Sequence, residues 1–188
     1  YSFVVIALIF LTSPRLSIAD REAPLRDYKM VSHNGAYVLI VLDPERAWYT
    51  EDKFLRKNYP SSGLYKNDGL KEPLWTIDWY SHKAYLSSDG KHVVRMGPWP
   101  RIWDDKNIGP GGHALKQLAI AFYEGGRLLK SYTIGDLIKD PKKMPQSVSH
   151  FEWKKDIEFN DKENHIKVTT TDDQQLIFDV QSGKIVRY

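Results

Sequence analysis

Turn dipeptides recur at short intervals along this chain, and the runs between them are short and rich in Val, Ile, Tyr, Phe and Trp. Such punctuation leaves little room for long helices and predicts antiparallel hairpins. Asn34-Gly35 separates 28–32 from 36–42, and Asp89-Gly90 separates 84–87 from 92–96. Both dipeptides predict type I′ turns, in which two successive residues take positive φ and Asn, Asp and Gly do so at least cost. Asn67-Asp68-Gly69 lies between 63–65 and 74–77, and Gly125-Gly126 between 117–123 and 127–133. Asp172-Asp173 and Ser182-Gly183 divide the last stretch into 165–171, 175–180 and 184–187.

Periodicity agrees with this division. Residues 165–169 alternate polar and apolar, as a strand with one wet face does, and Leu176, Phe178 and Val180 share one face of the next. Residues 118–123 are apolar on both faces, which suits a strand covered on both sides, with a short helix as the alternative. One helix is predicted at 133–139, where Thr133 can cap, Asp136 follows three residues on and Pro141 stops the run. Residues 48–57 offer only Trp48, Phe54 and Leu55, too sparse a stripe to assign a second helix. Residues 43–60 and 98–112 read as long loops.

The N-terminal stretch is of another kind. Residues 3–11 carry no polar side chain, Thr12, Ser13 and Pro14 break the run, and Ser17 and Ala19 stand where a cleavage site wants small residues. Residues 1–19 are therefore expected to be a signal peptide, leaving a single domain at 20–188. Nine apolar residues fall short of the roughly 20 that span a bilayer. The chain opens at Tyr1 without a basic segment and reads as lacking its first residues. A longer apolar run upstream would make an uncleaved membrane anchor, and a buried strand of the domain is the third possibility. After cleavage no stable membrane insertion is expected.

Beyond Ala19 the chain keeps 26 basic and 24 acidic residues, a near-balance that gives no electrostatic case for nucleic acid. It has no cysteine, hence no disulfide, thiol nucleophile or lipidated cysteine, and no Asn-x-Ser/Thr acceptor site. These features suit a secreted or periplasmic protein of a bacterial envelope.

Ser32-His33-Asn34-Gly35-Ala36-Tyr37-Val38 recurs in outline at Ser88-Asp89-Gly90-Lys91-His92-Val93, offset by 55 residues. The hairpins then group into three units of about four strands, at about 28–80, 82–135 and 150–188. The expected fold is all-β: three antiparallel four-stranded meanders, β-propeller-like, with one short helix. Ser87-Ser88-Asp89-Gly90-Lys91-His92-Val93-Val94 resembles the Ser-x-Asp-Gly-Lys-x-hydrophobic turn of WD40-like and TolB-like propeller blades. Residues 176–186, with Asp179, Gly183 and Lys184, resemble the outer hairpin of such blades. Residues 62–69 together with 73–80 also resemble uncharacterised exported bacterial proteins. These resemblances imply repeated sheets with function on the joining loops, and no particular activity.

Catalytic motifs are missing from the sequence. Ser61-Ser62-Gly63 lacks the leading glycine of a nucleophile elbow. The stretch 109–116 lacks the Gly-Lys-Ser/Thr ending of a phosphate loop. No two of the six histidines have ligand spacing; Asp78 with His82, and His150 with Glu152, come nearest. Neither metal nor cofactor is expected. Paired acids for glycoside chemistry remain open, with Asp78 the candidate because Trp75, Trp79 and Tyr80 flank it where a sugar could stack; the alternative is that Asp78 bonds a turn amide.

The aromatic content is the compositional oddity, 13% with six tryptophans. Five large aromatics, Trp75, Trp79, Tyr80, Trp99 and Trp103, fall in one short stretch, serving either core packing or recognition. Trp99, Arg101 and Trp103 in the 98–112 loop are the residue types enriched in binding hot spots. The expected function is an exported, non-enzymatic binding module with a protein or glycan ligand, centred on Trp99, Arg101, Trp103, Asp78, Trp79 and Tyr80. The alternative is a carbohydrate-active enzyme or lectin built around Asp78.

Overall fold

Each cluster of turn residues closes an antiparallel pair, and the pairs form three four-stranded sheets whose strands follow one another in sequence order. The computed structural model describes residues 22–45, 52–69, 71–100, 112–147 and 149–187. The expected signal segment 1–19 and its cleavage point lie outside these residues. The first sheet holds β1 (Tyr28–Val31), β2 (Tyr37–Val41), β3 (Gly63–Lys66) and β4 (Trp75–Thr76). The second holds β5 (Ala84–Leu86), β6 (His92–Met96), β7 (Leu118–Glu124) and β8 (Arg127–Thr133). The third holds β9 (Lys154–Asn160), β10 (His165–Thr170), β11 (Gln175–Asp179) and β12 (Ile185–Arg187). No helix among the described residues is long and apolar enough to cross a membrane.

The expected helix is present, shorter than its signal, as α3 (Ile134–Leu137). Thr133 Oγ1 accepts from the Asp136 amide, and the Asp136 carboxylate accepts from the Thr133 amide at 2.8 Å, a complete capping box. Two further short helices join it, α1 (Lys53–Asn58) and α2 (His113–Lys116). Only Leu55 of α1 is buried, so no apolar stripe announces it; the Asp52 side chain, accepting from the amides of Phe54 and Leu55, starts it instead.

The sheets stack face to face, with the second in the middle. Ile120 and Phe122 of β7 pack with Ile166, Val168, Leu176 and Phe178 of the third sheet. Ala121 and Tyr123 of the same strand pack with Leu39, Val41 and Leu64 of the first. Residues 118–123 are apolar on both faces because both faces are covered, and the helix alternative falls. The outer face of the first sheet is closed by Leu55 of α1 against Val38, Ile40 and Tyr65. In the third sheet Ile166, Val168 and Thr170 are buried between partly exposed His165, Lys167 and Thr169, the one wet face that the alternation predicts.

The type I′ expectation is corrected at both turns for which it was made. Gly35 and Gly90 take positive φ, but Asn34 and Asp89 do not. Their side chains instead accept from the amides of Ala36 and Lys91, while Ser32 and Ser87 hydroxyls take the amides of Tyr37 and His92. Side-chain bonding of this local kind replaces the second left-handed residue. Gly125 and Gly126, which lack side chains, both take positive φ.

These turns also join the sheets. Asn34 Nδ2 donates to the Ser88 carbonyl at 2.8 Å, linking the β1–β2 turn to the β5–β6 turn. The Ser88 amide donates to Asp161 Oδ1 at 2.8 Å, and its hydroxyl to Asp161 Oδ2, linking onward to the β9–β10 turn. The turns after the first strand of each sheet thus form one hydrogen-bonded row.

Asp172 ties the chain after α3 to the third sheet. It accepts from the amides of Lys139 (2.8 Å) and Asp140 (2.9 Å), from Gln174 Nε2 and from Thr170 Oγ1. Burial works to raise its pKa, but the bonds from Thr170, Asp140, Gln174 and Lys139 outweigh it and set the carboxyl at about 2. An unfolded Asp titrates near 3.9, so the stabilisation is complete above about pH 4 and is lost as pH falls toward 2. Asp172→Asn should therefore flatten melting temperature against pH across that window; an unchanged slope would assign acid sensitivity to other carboxylates.

Candidate functional site

The end of β6 and the approach to β9 build a cavity between the second and third sheets. Gly97 donates its amide to the Ala119 carbonyl at 2.8 Å, and a Cβ there would lie 1.7 Å from the Leu118 carbonyl oxygen. Only glycine lets the chain leave β6 so close to β7. Pro98 and Pro100 then offer no N–H to continue the ladder, and the Pro100 carbonyl accepts from the Phe151 amide at 3.0 Å. The segment 98–100 is thereby carried from the second sheet to the third.

On the other side Ser147 folds the chain back. Its hydroxyl meets His150 Nδ1 at 2.5 Å, and its amide donates to the His150 carbonyl. The His150 ring lies edge-on to Trp99, centroids 4.0 Å apart at 71°. Between these elements is a cavity of about 420 Å³, within the range of small-molecule sites. Met96, Pro98, Trp99, Phe151 and Trp153 line it with carbon; His82, Lys83, His150, Glu152 and Lys154 bring the polar groups.

Trp153 is buried, and the Lys154 ammonium lies 5.6 Å from its ring centroid. Burial lowers the Lys154 pKa, Glu152 opposes the shift and Lys83 adds to it. The Trp99 indole N–H is buried without a hydrogen-bond partner.

Two other hollows adjoin. One of about 390 Å³ shares Ala23, His82 and Pro98 with the first and brings Glu22, Asp43 and Glu45 near Tyr80. A shallow groove of about 620 Å³ runs where β1, β5 and β9, the first strands of the three sheets, converge. Among the described residues no three His, Asp or Glu side chains are grouped to hold a metal ion.

The residues singled out from sequence separate in space. Trp99 lines the cavity; Arg101 and Trp103 lie outside the described residues. Trp79 is buried in the core between the first two sheets, its ring 5.2 Å from Tyr123 and under the Arg95 guanidinium. Tyr80 lines the acidic hollow, where its hydroxyl accepts from the Arg26 amide and donates to the Arg26 carbonyl. Asp78 is exposed and lines none of the three hollows.

His150, Trp153, Lys154 and Lys83 enter the site from sequence positions that no local pattern links to Trp99. The near-ligand spacings of His150 with Glu152 and of Asp78 with His82 are the local signals, and His82, His150 and Glu152 all line the cavity. No protein-family model, curated protein or solved structure matches the chain.

Proposed function

We propose that the chain is an exported, non-enzymatic binding module of propeller-like type, whose protein or glycan ligand seats in the cavity between the second and third sheets. The observation that carries this is the cavity wall itself: Trp99 and Trp153 beside Lys154, with a buried, unpartnered indole N–H. Aromatic walls with a few converging polar groups are the ordinary make-up of a ligand pocket. Export rests on the apolar run at 3–11 and the small residues at 17 and 19. The propeller-like character is supported by equivalent turns joined through Asn34, Ser88 and Asp161, and by the convergence of β1, β5 and β9. The carbohydrate-enzyme alternative draws no support from Asp78, which stands exposed and apart.

Trp99→Ala tests the proposal. Trp99 is half-buried at the cavity, so its truncation should cost about 1–2 kcal/mol, well below the ~3–5 kcal/mol of a core tryptophan. Retention on a glycan array, or of a partner from native extract, should be lost in the variant. Undiminished capture by a correctly folded Trp99→Ala would remove the cavity as the binding site.

A further inference from the structure

The cavity's charge pattern narrows what it receives, given the reading above that it binds. Lys154 and Lys83 both reach it, and neither forms an ion pair among the described residues. Lys154 is partly buried, and desolvation and Lys83 both work against its charge. Glu152 and Lys83 are both exposed, and the Lys83 ammonium lies over the Tyr85 ring at 5.3 Å from its centroid, so half-buried Lys154 is the cation that the cavity wall holds. An ammonium without an ion partner, on a wall otherwise made largely of rings and proline, calls for an acceptor that is charged and a body that is flat.

We infer that the cavity binds a small organic anion, a carboxylate carried on a ring that lies against Trp99 with its charge toward Lys154. An aromatic acid and a uronic acid at the end of a glycan share this chemistry. A carboxylate would neutralise the Lys154 ammonium, and charge-assisted bonds of this type are the strong ones. Its ring would cover the carbon surface of Trp99, Phe151 and Pro98.

Isothermal titration of the purified chain with phenylacetate, phenylacetamide, glucuronate and glucose reads the assignment. At least one acid should bind, and at least about tenfold more tightly than its neutral counterpart. Whichever acid binds better identifies the source. Lys154→Met should lose at least about tenfold in affinity for that acid, while Lys154→Arg, which keeps the charge, should retain most of it. Neutral compounds binding as well as acids, no binding by any of the four, or full affinity in a folded Lys154→Met would each overturn the anion assignment. The capture experiment with Trp99→Ala stands apart from these results, so loss of the anion assignment and loss of the binding site are separately visible.

Discussion

Asp27→Ala should lower stability by about 3–5 kcal/mol, the cost of removing one partner from a buried ion pair. Asp27 has a fully buried side chain, and that of Arg56 is 15% exposed. The pair is bidentate, Nε to Oδ2 at 2.8 Å and Nη2 to Oδ1 at 2.7 Å. The same carboxylate accepts from the amides of Asp43 (2.7 Å) and Asp52 (2.9 Å). One side chain thus holds together the segment before β1, the exit of β2 and the start of α1. Its loss takes the carboxylate from a guanidinium, which keeps its bond to the Asp43 carbonyl, and leaves two amides without this acceptor. At roughly 2–4 °C per kcal/mol for a domain of this size, melting should fall by roughly 6–20 °C. Asp27→Leu combined with Arg56→Met should recover much of the loss, because the penalty lies in a charge deprived of its carboxylate. A single variant melting within about 2 °C of the parent would show the pair to be dispensable.

Phe122→Ala should be comparably damaging for a different reason. Phe122 is fully buried on β7, its ring centroid 5.4 Å from Phe178 on β11 and 6.4 Å from Tyr132 on β8. The β11–β12 turn rests on it: a Cβ at Gly183 would come within 3.0 Å of Phe122, and the Gly183 carbonyl accepts from Tyr132 at 2.9 Å. Truncation opens a void between two sheets pinned on either side, which cannot collapse to fill it. The expected loss is about 3–5 kcal/mol, in a single cooperative transition because the second and third sheets share one core. Two resolved transitions, or a loss under about 1 kcal/mol, would mean that the third sheet is anchored elsewhere.

Strands and their grouping were legible because they depend on neighbours in sequence. Alternation at 165–169 and doubled apolarity at 118–123 report one covered face and two covered faces directly. Even the fate of Trp79 was written locally: Ile77 and Trp79 are buried and Asp78 between them is exposed, the period of an extended chain. Aromatic clustering drew attention from that alternation to Asp78, and a stacking site was expected where the chain buries a core residue. Turn type was not legible, since Ser32 and Asn34 compete for the amides that a second positive φ would otherwise satisfy. Nor was the cavity. Trp99 meets His150 only because Gly97 sits against Leu118 and Phe151 bonds Pro100, and neither event leaves a mark in local spacing. Helix α1 shows the same limit, being held by Asp52 and by the distant Asp27.

The row formed by Asn34, Ser88 and Asp161 has a mechanical meaning for the cavity. It fixes the spacing of the three sheets at the turn end of their first strands, as a rivet fixes the leaves of a fan. Met96, Gly97 and the start of β9 stand at the opposite end, where the Phe151 amide bonds the Pro100 carbonyl across the edge of the cavity. The width of the cavity therefore follows from that bond and from the bulk of the core side chains in its wall, Met96, Phe151 and Trp153. Larger or smaller side chains there would spread or close the leaves at the open end while the riveted end keeps its place.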